Sequence, residues 1–184
     1  MRTALLACVV MIALTSVGCA TAPETPAERA ELLRDARNKL ALFERMRPGV
    51  YRAYDQSAAG VAVFPHVGEG GYVIGGSYGR GVVLVDGELA GYCDITSGTF
   101  GWQIGGQEYS QVIFFADADA LREFQRGDLG FDAGASATIA SADASTNADY
   151  EDGVAVYTFD GDGAMVAATI GAQSFSYQPA EFYD

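Results

Sequence analysis

A chain of 184 residues, 49% hydrophobic and 19% charged, has enough apolar material for one domain with a core and is not depleted enough to be disordered. Its formal net charge of −13 is unevenly placed: residues 24–52 hold seven basic and five acidic side chains, whereas in residues 53–184 three arginines oppose 19 acids. A body this acidic repels phosphate backbones, which argues against nucleic acid as a partner, and the sole histidine with Cys93, the one cysteine beyond residue 19, is too few ligands for a zinc site.

Residues 1–18 read as a signal peptide: Arg2 supplies a positive start, residues 4–14 form an apolar run too short to span a bilayer, and small residues lead to Cys19. Ser16-Val17-Gly18-Cys19 resembles the lipobox of bacterial lipoproteins, in which the cysteine becomes an acylated N-terminus; the alternative is an ordinary cut after Ala20 or Ala22. Ala20 after the cysteine resembles the outer-membrane sorting pattern, so the expected location is the periplasmic face of the outer membrane. Cys8 would leave with the signal and Cys93 would have no partner, so no disulfide is expected. Residues 19–26, rich in small residues and proline, are expected to form a lipidated tether that gives the anchor slack, with the domain occupying residues 27–184.

A helix start follows, with Thr25 as cap, Pro26 in the first turn and Glu28 at the capping-box position. Leu32, Leu33, Ala36, Leu40, Phe43 and Met46 recur at three- and four-residue spacings and make one apolar face, and Pro48-Gly49 is expected to end the helix. That face either packs on the domain or lies on a membrane, with Leu33, Leu40 and Phe43 inserting while Arg34, Arg37 and Lys39 meet headgroup phosphates.

The period then changes from 3.6 to 2. "GVAVFP" is a short buried strand, and in "GGYVIGGSYGRGVVLV" bulky residues alternate with glycine, leaving one face nearly bare so that another element can approach closely. "DGE" makes a hairpin turn from which residues 89–95 return, "TFGWQIGG" repeats the glycine device, and "SQVIFFA" is another buried strand. Asp117 caps a short helix, "ADALREFQR", closed by Gly127. "FDAGASATIA" alternates large and tiny residues and "SADASTNADYEDG" is a polar loop. "VAVYTF", "DGDG" and "AMVAATIGA" form a last hairpin before an aromatic tail.

The chemical motifs fail on context. Gly75-Gly76-Ser77-Tyr78-Gly79 matches G-x-S-x-G, but a nucleophile elbow needs a helix after the serine, and here a strand continues; His66, the sole histidine, also precedes Ser77. Gly70 and Gly75 have the spacing of a phosphate loop, but Gly76 stands where its lysine belongs. "DGDG" lacks the distal glutamate of a calcium loop, which leaves a tight turn, although the acids of residues 141–153 leave loose calcium binding open. No catalytic site, cofactor or metal centre is expected.

"GVAVFPHVGEGGYVIGGSYGRGVVLVDG" resembles the signature of the SYLF domain: an apolar strand ending in Phe64-Pro65, then Gly76, Tyr78, Gly79, Gly81 and Val82 in a G-x-Y-G-x-G-V run. "GWQIGGQEYSQVIFF" and "ALREFQRGDLGFDAGASATIA" resemble its later blocks. The resemblance implies a non-enzymatic module that binds phospholipid and sometimes actin. Where that family carries a basic last hairpin, this chain has "TFDGDGAMVAATIGA", so phosphoinositide preference is not implied. The expected fold is α+β, mainly antiparallel strands in a barrel-like or sandwich core, with an N-terminal amphipathic helix and one short helix. The expected partner is membrane phospholipid, with an envelope protein as the alternative.

Overall fold

The structure, a computed structural model, describes residues 21–71, 74–100, 107–128, 150, 152–160 and 173–183. Its elements in chain order are α1 (Pro26–Met46), α2 (Pro48–Asp55), β1 (Gly60–Gly71), β2 (Ile74–Val85), β3 (Glu88–Phe100), β4 (Gln107–Phe115), α3 (Ala118–Arg126), β5 (Val154–Phe159), β6 (Gln173–Pro179) and a 3-10 helix, η1 (Ala180–Tyr183). The strands form one antiparallel sheet in the order β5-β4-β1-β2-β3-β6.

Both faces of the sheet are apolar, and each is covered by helix. Val63, Val82, Leu84, Val112, Phe114, Ala155, Tyr157 and Phe159 meet Ala36 and Phe43 of α1 with Val50 and Tyr54 of α2. On the other face Ala62, Phe64, Val67, Val83, Ile95, Ile113, Phe115 and Phe175 surround Leu121 and Phe124 of α3. Strands buried on both sides read as continuous apolar runs rather than alternations, as "VAVYTF" and "QVIFF" do.

Two devices shape the sheet. Val63 pairs with Val82 and His66 with Arg80, so β1 advances three residues where β2 advances two; the same extra residue appears against β4 between Phe64 and Val67. This bulge lies at Pro65, which has no N–H to give a ladder and is tolerated in a central strand only where the ladder is already interrupted. The second device is curvature. Gln111 of β4 and Gln173 of β6 are buried and exchange two amide hydrogen bonds of 3.1 and 3.2 Å, although β1, β2 and β3 lie between their strands. Four strand steps in a flat sheet would separate them by about 19 Å, so the sheet must curl until β4 and β6 face each other.

The expected barrel is therefore corrected to a strongly curled open sheet: side chains cross the seam, but among the described residues β5 and β6 do not pair. The core stays layered, in keeping with the sandwich-like alternative, with α1 and α2 on one face of the sheet and α3 on the other. The helix count is corrected as well. Pro48 does end α1, but proline suits the first turn of a helix, and it opens α2 directly. The capping box at Thr25 and Glu28 forms as expected, and α3 spans the expected residues between Asp117 and a left-handed Gly127 at φ 74°. The β2–β3 hairpin turns on Asp86 and Gly87, both at positive φ, which matches the right-handed strand twist. The expectations for residues 1–20, "GWQIGG", "FDAGASATIA", the start of the polar loop and "AMVAATIGA" fall outside the described residues.

Candidate functional site

The basic helix is the natural place to build a site. Its first turn is fixed by reciprocal bonds: the Thr25 hydroxyl accepts from the Glu28 N–H at 3.2 Å, and the Glu28 carboxylate accepts from the Thr25 N–H at 3.2 Å. Those bonds hold the Glu28 carboxyl below its ordinary range, the backbone donor contributing most. From that start the helix lies across the sheet.

Its two faces have different fates. Phe43 is fully buried, its ring 4.9 Å from Tyr157, 5.9 Å from Phe114 and 6.1 Å from Phe159, while Leu33 and Leu40 are half-buried against the same cluster. All three apolar candidates thus line the helix–sheet interface. The three cations do not share that fate. Arg34 is exposed and bonded to Glu31 at 3.1 Å and Asp35 at 3.4 Å. Arg37 is exposed and reaches the Gly87 carbonyl at 3.5 Å, and Lys39 is half-buried on the flank of the helix. Exposed pairs such as Arg34–Glu31 contribute little and exchange readily for a phosphate.

The SYLF-like motif residues form a packing unit. Phe64 and Pro65 are buried at the β1 bulge, and the Pro65 carbonyl accepts from the Ser110 hydroxyl at 2.7 Å. A Cβ on Gly81 would sit 2.5 Å from the Val63 carbonyl and 2.7 Å from the Phe64 ring, and one on Gly79 would sit 2.7 Å from the His66 carbonyl. The element that approaches the bare glycines is therefore the bulge of the neighbouring strand. Gly76 is exposed, and Tyr78, 44% exposed, accepts from Arg80 Nε at 3.1 Å.

Ser77 lies within β2, buried and bonded to the Ser97 hydroxyl, while His66 Nδ1 engages the Glu108 carboxylate at 2.6 Å. The serine and the histidine thus have separate partners and form no acid–base pair. Cys93 is fully buried, which pushes its thiol well above the usual range and makes it inert.

Sequence reasoning missed two features. A cleft of about 120 Å³ opens between α1, α2, the start of β1 and the β2–β3 turn, with Leu40, Tyr51, Asp55, Val61 and Asp86 among its walls. Tyr51 donates to Asp55 at 3.3 Å; burial first, then that carboxylate, push its hydroxyl up to about 12. The i, i+4 spacing of the pair was readable only once α2 was recognised as a helix. The second feature concerns the stretch before α1: residues 21–23 are buried, with Ala22 fully so, and Arg29 Nη1 donates to the carbonyls of Pro23 at 3.0 Å and Glu24 at 2.9 Å.

Residues 96–179 match the family Ysc84, described as Las17-binding protein actin regulator. The match takes in the end of β3, β4, α3, β5 and β6, less than half of the chain, and over those residues it supports the resemblance to the SYLF domain. No curated protein matches the chain.

Proposed function

We propose that the chain is a non-enzymatic phospholipid-binding module of the bacterial cell envelope, anchored by an acylated Cys19 on the periplasmic face of the outer membrane. The observation that carries this reading is the match of residues 96–179 to a family described by binding and regulation rather than by catalysis. The separate engagement of Ser77 and His66 supports it. In this reading Arg34, Arg37 and Lys39 meet headgroup phosphates, and Leu33, Leu40 and Phe43 hold the helix on its domain.

The test is flotation of residues 20–184, which lack the cysteine, with anionic and with zwitterionic vesicles at low and physiological salt. Binding to anionic vesicles that weakens with salt is expected. Each cation at an anionic surface contributes about 1 kcal/mol, so changing Arg34, Arg37 and Lys39 to Glu should lower partitioning by about a hundredfold or more. Absence of flotation under all four conditions would reject lipid recognition by the domain. It would favour a second reading, an envelope protein as partner, to which the inward placement of Leu33, Leu40 and Phe43 already lends weight, because the helix then presents charge without an apolar wedge.

A further inference from the structure

The beginning and the end of the described chain are built into one corner of the sheet, where β3 starts and β6 ends. Arg29, already bonded to the carbonyls of Pro23 and Glu24, places its guanidinium 4.8 Å above the ring of Tyr183 in η1. Tyr183 stands edge-on to Tyr92 at 5.4 Å and donates its hydroxyl to Gln178. Ala22, Ala180 and Tyr183 pack into the same apolar cluster. Next to Tyr183, Phe182 is 72% exposed, and among the described residues the other large apolar side chain exposed in this way is Tyr78, whose hydroxyl is hydrogen-bonded. Phe182 has no polar atom to satisfy in water.

We propose that this corner is the seat of the domain on the bilayer, with Phe182 entering the boundary between headgroups and acyl chains beside the lipid carried by Cys19. The inference rests on the anchoring part of the preceding reading. Two peptide units separate Cys19 from Thr21, so their Cα atoms lie within about 8 Å of each other. Thr21 is itself buried, at 9% exposure, so the slack ends there and the corner is held at the interface. One phenylalanine does not hold a free protein on a membrane, but a short leash makes its insertion intramolecular, at an effective concentration on the order of millimolar. The exposed acids adjoining the corner in sequence, Glu24, Glu28 and Glu181, outnumber its cation Arg29, whose guanidinium is already engaged with Tyr183 and two carbonyls, so anionic lipid is not favoured there. The occupant that fits is a zwitterionic bilayer surface, engaged independently of salt and of the cations of α1.

The experiment uses the full lipidated chain reconstituted into phosphatidylcholine vesicles, with a nitroxide at Phe182→Cys or, as control, at Glu108→Cys. Glu108 is 65% exposed in its side chain and lies about 17 Å down the sheet from the corner. The buried Cys93 does not compete for the label. The expected result is that the label at 182 loses collisions with a water-soluble nickel chelate and gains collisions with oxygen, while the label at 108 behaves as in water, at low and high salt alike. Equal aqueous access at both positions in vesicle-bound protein would overturn the seat and leave the anchor standing, and shielding at 108 but not at 182 would overturn it in favour of the opposite end. Protein that does not float with the vesicles would reject the anchor, and the seat with it.

Discussion

At Gly81 a single methyl group decides whether the sheet fits together. Its Cβ would meet both the Val63 carbonyl and the Phe64 ring well inside contact distance, and neither can withdraw from a packed core, so Gly81→Ala should destabilise by about 1–3 kcal/mol. Gly68→Ala, with nothing within 4 Å of the new carbon, is the matched control and should change the urea midpoint little. Tyr51 gives a second expectation at this scale. Its hydroxyl is raised in the folded state, so the protonated form is the one the fold favours; that contribution is present below pH 10 and is lost as pH rises from 10 through about 12. Ultraviolet titration of the wild type minus Tyr51→Phe should show a tyrosinate appearing near the top of that range, and Asp55→Asn should bring it down. The glycine stripe was legible as a place of close approach. What approaches was not, because it depends on a bulge at Pro65 that sets Phe64 over a neighbouring strand, a fact of pairing rather than of local pattern.

Among the elements, α1 is held by both its cap and its stripe. Thr25→Ala removes one side of the capping box and should cost about 1 kcal/mol. Because the Glu28 carboxyl is held below its unfolded range, its contribution is present above that range and is lost as pH falls through the folded value; Glu28→Gln should therefore flatten the acid side of the stability profile. Phe43→Ala should cost about 3–5 kcal/mol in urea unfolding, since the ring contacts three other aromatic side chains across the helix–sheet interface. Vesicle binding per folded molecule should remain as it was, which separates the packing face from the charged one. The cap, the stripe and α3 were all readable from spacing. Helix α2 was not, because Pro48-Gly49 stops one helix and starts the next with the same residues, and proline alone does not tell the two apart.

On the scale of the molecule, strand content and antiparallel order followed from apolar runs and turn residues, but covering on both faces did not. Continuous runs such as "QVIFF" report that a strand is buried on both sides without saying whether helix or sheet lies above it. The candidate cations were legible as a cluster on one helix, whereas the corner formed by Arg29 and Tyr183 joins opposite ends of the chain and leaves no local trace.

The pair of glutamines across the seam has a consequence in time. Strands β1 to β4 pair among themselves and are complete in the first 115 residues, while Gln173 lies 62 positions after Gln111. A contact of that span is made after the nearer ones, because loop closure must precede it. As the chain folds, the inner four strands can assemble with Gln111 still unmatched, and the curl is locked only when the last strand joins. Gln111→Leu should accordingly speed unfolding while leaving the refolding rate nearly unchanged in a denaturant series. The amide pair acts as a latch on a finished object, governing how long the domain stays folded rather than how quickly it gets there.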